Sequence, residues 1–166
     1  MTVMPKKIIY MPHLLLVREK KCGQKFNRRC KMKINKFGIV EKQFEYRGHD
    51  CLVVFTHRGY RCGYVSVTED KDYTDYDIDC HGGLTFSGEL PYDYGQKAKF
   101  YIGFDCGHCG DDRDFDTAYE YGLIDAEKRD QVEDDYYYLQ GDNVWCLEYV
   151  EDQCRYIVDQ LEGETK

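Results

Sequence analysis

Between residues 42 and 104 the chain is cut repeatedly by glycine-bearing turns, and the stretches between them are short and rich in β-branched and aromatic residues. Gln43-Phe44-Glu45-Tyr46 alternates polar with apolar, the period of a strand covered on one face. Arg47-Gly48-His49-Asp50 then reads as a turn, residues 51–56 as a buried strand and His57-Arg58-Gly59 as a second turn. Residues 60–67 alternate again around Gly63, which marks a bulge or a close approach of backbone. An acidic, tyrosine-containing loop over 68–77 separates these from two further strands at 78–86 and 99–104. The expected product is a small, mostly antiparallel sheet of four or five strands.

The remainder is helical. Residues 126–139 predict a polar helix stopped by Gly141, and Asp142 or Asn143 is placed to cap a final one. In that last helix Leu147, Val150, Cys154, Ile157, Val158 and Leu161 recur at steps of three and four, giving one apolar face to lie across the sheet. The fold class is therefore α+β. No internal repeat or low-complexity tract is present.

Charge divides the chain near residue 36. Residues 1–36 carry eleven Lys/Arg and one Glu, a net +10, whereas residues 37–166 carry twelve Lys/Arg and thirty Asp/Glu, a net −18. The domain reading follows: a basic arm over 1–36 and one acidic α+β domain over 37–166. Arg28-Arg29-Cys30-Lys31 precedes Met32, and a purine-rich ribosome-binding stretch can encode that peptide. One expectation is thus that residues 1–31 are not native and that Met32 is the natural start. The rival is a true arm that binds a polyanion or the domain's own acidic face. The acidic body repels nucleic acid and attracts basic partners, so direct nucleic-acid binding requires a genuine arm.

Nine cysteines, an odd number, do not suit a secreted disulfide framework. The apolar run at 8–17 is interrupted by Pro12 and His13, is followed by Arg18-Glu19-Lys20-Lys21 instead of a cleavage site, and is too short to span a bilayer. The expectation is a cytoplasmic protein with reduced thiols and no membrane contact.

Three segments can carry chemistry. Cys80-His81-Gly82-Gly83-Leu84-Thr85 can let a ligand reach main-chain N–H groups, or can be only a bend leaving a strand. It lacks the lysine and spacing of a phosphate loop. Asp105-Cys106-Gly107-His108-Cys109-Gly110-Asp111-Asp112 contains Cys-x-x-Cys, half of a zinc site, which makes Cys106, His108, Cys109 and His81 candidate ligands. Cys106 with His81 as base and Asp105 orienting the imidazole would make a nucleophile pair, so His81, Asp105, Cys106 and His108 are the catalytic candidates. An Asp–His pair can equally pin a loop. The third feature is acidic and tyrosine-rich: Asp72, Tyr73, Asp75, Tyr76 and Asp77 in one loop, and Glu133, Asp134 and Asp135 ahead of three tyrosines. These are candidate binding residues for a Lys/Arg-rich groove meant for nucleic acid.

The ordered set Tyr46-Arg47-Gly48, Cys51, Gly63-Tyr64-Val65-Ser66-Val67, His81-Gly82-Gly83-Leu84-Thr85 and Gly103-Phe104-Asp105-Cys106-Gly107-His108-Cys109-Gly110-Asp111 resembles a widespread family of small phage and prophage proteins. The resemblance runs over about residues 44–161 and includes the closing helix, Tyr149 through Leu161. It implies genetic context and no particular activity. A small residue is usual in that family where this chain has Cys109, which moves weight onto Asp105, Cys106, His108 and Asp111. Small phage proteins of this sort are often counter-defence factors, and an acidic, tyrosine-rich domain is similar to inhibitors that fill the nucleic-acid groove of a CRISPR nuclease.

The leading expectation is thus a counter-defence protein that binds a basic surface on a nucleic-acid-handling host enzyme, with binding ahead of catalysis. The alternatives are a metal-assisted or Cys/His hydrolase of a nucleotide-like substrate, and a sponge for a small nucleotide. No cofactor is expected beyond a possible zinc ion.

Overall fold

Arg47 and Gly48 both adopt positive φ, 50° and 86°, the requirement of the tight two-residue turn whose twist suits a hairpin. That turn joins β1 (Gly38–Tyr46) to β2 (His49–Thr56), with Tyr46 paired to His49 and the register continuous as far as Lys42. At Glu41 the ladder slips by one residue. The extra residue turns its carboxylate inward to Arg61, whose Nε lies 2.7 Å away, as bulges that re-aim a side chain do.

In this computed structural model the described residues are 38–68, 73, 77–90, 97–98, 100–136 and 144–163, the side chains of 132–136 excepted. Three further strands follow, β3 (Arg61–Val67), β4 (Phe86–Glu89) and β5 (Phe100–Asp105). The sheet order is β1-β2-β3-β5-β4 and the neighbouring strands run antiparallel. The helices are α1 (Phe115–Glu120), α2 (Ala126–Tyr136) and α3 (Leu147–Leu161). The α+β class, the antiparallel sheet and the C-terminal helix agree with the sequence reading. No described helix is long and apolar enough to cross a membrane.

Strand alternation sorts β2 cleanly. Cys51 and Val53 face α3 with Val65, Ile102 and Phe104, while Leu52 and Val54 face the other way with Tyr101 and Leu90. From the helix side Val150, Cys154, Ile157 and Val158 are fully buried, the valines and the isoleucine each worth about 1.5–3 kcal/mol on removal from water. Gly63 resolves the sequence ambiguity in favour of close approach. Its pairing with both neighbouring strands is regular, and a Cβ there would sit 2.8 Å from Cys154 Sγ and 2.4 Å from the Phe104 ring. A polar rim closes the same interface: Lys42 Nζ meets Glu151 at 2.7 Å, and the Arg155 guanidinium lies over Phe44 and Tyr46.

Three expectations need correction. The strand placed at 78–86 begins only at Phe86, because the preceding residues hydrogen-bond to α3 instead: Asp79 N–H donates to Gln160 Oε1 and His81 N–H to Gln153 Oε1. The final helix starts at Leu147 with Cys146 in the N-cap position and no side-chain cap, while Asp142 and Asn143 lie outside the described residues. Helix α1 was not expected. Asp114 caps it by accepting from Thr117 N–H at 3.0 Å.

Candidate functional site

The two segments that stand out in the sequence meet at one end of the sheet. Cys80 C=O accepts from Gly83 N–H at 3.0 Å, closing a turn with Gly82 at φ 66° and Gly83 at φ 82°. The second segment leaves β5, and Asp105 ties it to the first by accepting from the Thr85 hydroxyl at 2.9 Å and from Gly107 N–H at 3.0 Å. Gly82 is needed for a second reason: a Cβ there would lie 2.1 Å from His108 Cε1. The bare backbone lets the imidazole lie against the turn.

Asp111 is the hub. Its Oδ2 accepts from His81 Nε2 at 3.0 Å and from His108 N–H at 2.9 Å. Its Oδ1 accepts from Trp145 Nε1 at 2.7 Å. Burial works against its charge, but the bonds from His81, Trp145 and the His108 N–H outweigh it and hold the carboxyl below the usual carboxylate range. Since an ionised carboxylate only accepts, His81 Nε2 carries the proton and Nδ1 takes the Tyr149 hydroxyl, 3.1 Å away. Burial pushes that phenol up, helped by Cys106 and Asp111. Trp145 stacks on Tyr149 with ring centroids 4.3 Å apart, and His81 stands edge-on to both rings. His81 and His108 have ring centroids 5.5 Å apart.

Of the predicted catalytic set, His81 and His108 therefore converge, with Asp111 in the orienting place expected of Asp105. Asp105 instead bridges the two loops. Cys106 is 1% exposed, and burial, reinforced by Asp111, raises its thiol far above the usual range. A protonated, enclosed thiol is no nucleophile, so the Cys106–His81 pair is withdrawn as a mechanism. The predicted metal set is also rearranged. Cys109 is exposed, and among the described residues the group with ligating geometry is His81, His108 and Asp111.

The acidic, tyrosine-rich set divides differently. Tyr73 is 6% exposed and packs in the main core, with its N–H donating to Ser87 Oγ, so it does not present itself to a partner. Asp77 is exposed. Asp72, Asp75 and Tyr76 lie outside the described residues. Glu133, Asp134 and Asp135 belong to α2, with their side chains outside the described set.

Trp145 and Tyr149 were missed. The available signal was their spacing: the sole tryptophan stands four residues ahead of Tyr149, just before the amphipathic helix begins. No protein-family model matches the chain, and no curated protein and no solved structure shows significant similarity to it.

Proposed function

We propose that the chain is a phage-derived counter-defence protein that acts in the host cytoplasm by binding a Lys/Arg-rich surface of a nucleic-acid-handling enzyme, of the CRISPR-nuclease type. The observation that carries this reading is the charge on the α1–α2 segment. Over residues 115–131 the exposed acidic side chains are Asp116, Glu120, Asp125, Glu127 and Asp130, against exposed Lys128 and the partly exposed Arg129, which pairs with Asp130 at 2.8 Å. The two helices pack together, so these carboxylates occupy one part of the surface, and α2 continues into Glu133-Asp134-Asp135. A dense row of carboxylates can stand in for phosphates in a basic groove and steer encounter with it. The enclosure of Cys106 adds support, since it removes the covalent alternative.

The test is cleavage of target DNA by candidate nucleases with and without the protein at micromolar excess. Inhibition is expected. Replacing Asp116, Glu120, Glu127 and Asp130 by lysine is expected to abolish it, with a cooperative unfolding transition showing that the fold survives the loss of the first-turn acids and of the Arg129–Asp130 pair. No effect on any effector would remove the reading.

A second reading, metal-assisted hydrolysis of a nucleotide-like substrate, draws on the convergence of His81, His108 and Asp111. It predicts phosphate release from nucleotides that His108→Ala eliminates while the fold survives.

A further inference from the structure

We propose that His81, His108 and Asp111 form a binding site for a divalent transition metal, with zinc the ion that best suits two imidazoles and a carboxylate. The site does not depend on the acidic surface or on the counter-defence reading.

One donor atom from each residue lies within 4.8 Å of the others. Two separations are already near those of a loaded site: 3.0 Å from His81 Nε2 and 3.4 Å from His108 Nδ1, both to Asp111 Oδ2. Tetrahedral zinc with bonds of about 2.0 Å holds neighbouring ligands about 3.3 Å apart. The independent observation is His108 Nδ1 itself. It is buried and makes no hydrogen bond, although Asp111 Oδ2 is close, because the approach is poorly aligned. Buried polar atoms without a partner are rare, and an ion is one of the few physical reasons for them.

The surroundings hold the three ligands in place. Trp145 Nε1–H occupies Asp111 Oδ1 at 2.7 Å, which leaves Oδ2 facing the imidazoles. Tyr149 Oη reaches His81 Nδ1, and His81 N–H is tied to α3 through Gln153. Such outer contacts orient ligands and set their tautomers. Loading requires the Nε2 lone pair of His81. The proton moves from Nε2 to Nδ1, the Tyr149 oxygen changes from donor to acceptor, and the Nε2 lone pair is freed for the metal. Three protein ligands leave the fourth tetrahedral position for water or an anionic ligand. The His108 side chain is 35% exposed, which sets the site at the solvent edge.

The test uses the full chain, stripped with chelator and titrated with zinc by calorimetry and with cobalt(II) by visible absorption. One equivalent is expected to bind, with a four-coordinate cobalt spectrum and no thiolate charge-transfer band. His108→Ala and Asp111→Asn are expected to weaken zinc by more than the roughly 10–100-fold typical of changes outside the ligand sphere, and Tyr149→Phe by about 10-fold. Cys109→Ser is expected to change nothing. Thermal unfolding of each variant without metal separates lost ligation from lost fold. The proposal is overturned if the folded chain takes up no zinc, if His108→Ala binds it as well as the parent, or if the cobalt spectrum shows thiolate ligation. The spectrum of the parent chain decides the matter even where a variant does not fold.

Discussion

Arg61 is the side chain on which most depends. It is buried on β3, reaches the Glu41 carboxylate through Nε and Nη2 at 2.7 and 2.9 Å, and donates to the Trp145 carbonyl at 3.0 Å. Tyr121 closes the group by donating to Glu41 Oε1 at 2.7 Å. Arg61→Ala leaves Glu41 as an uncompensated buried charge, so it is expected to cost about 3–5 kcal/mol in urea unfolding. Replacing Arg61 and Glu41 together by well-packed apolar residues is expected to recover much of that loss. Thiol reactivity offers a second measurement. Burial pushes Cys51 and Cys62 up to about 12 and Cys154 well above its ordinary value, and only thiolates alkylate readily. Among the described cysteines, iodoacetamide at neutral pH is therefore expected to label exposed Cys109 first and to spare Cys51, Cys62 and Cys154 until the chain unfolds, as read by peptide mass mapping. The sequence singled out Cys106 as a candidate nucleophile because His81 could serve as its base and Asp105 could orient the imidazole. It could not show that the strand before it carries the thiol inward, to 1% exposure.

At the level of elements, the α3–sheet contact is set by one missing side chain. Gly63 lets Cys154 and Phe104 fill the same place. Gly63→Ala is expected to destabilise by about 1–3 kcal/mol in urea unfolding, since overpacking a filled core forces neighbours off their rotamers. Periodicity located this interface well: the apolar positions of α3 and the alternation of β2 are local patterns, and local patterns survive into the fold. The paired glycines make a bend at 80–85 one of the two readings of that segment, but the run from residue 78 still reads as a strand. Its residues are apolar enough for a strand, but their hydrogen-bond partners, Gln153 and Gln160, lie some seventy to eighty positions away, and no local pattern encodes a partner at that range. The Asp111 hub was partly legible for the same reason. The motif holds Asp111 and His108 three residues apart, whereas Trp145 and Tyr149 arrive only when α3 docks.

The molecule as a whole is a polyanion from residue 37 onward, net −18, and binding through such a surface is screened by salt over about 8 Å at physiological strength. If the α1–α2 face engages a basic groove, raising salt from 50 to 500 mM is expected to slow association markedly and to change dissociation less, measurable by surface plasmon resonance. Salt-independent association would point to an apolar contact instead. The sheet order has a separate consequence, for biosynthesis. Strand β5 is inserted between β3 and β4, and the helix that covers Cys51, Val53 and Val65 is the last element of the described chain. On the ribosome the hairpin can pair early, yet its apolar face stays open until translation has passed Leu161. A nascent chain stalled before that point would present this face to chaperones and to its own copies, so the emergence of α3 from the ribosome is the step that covers it.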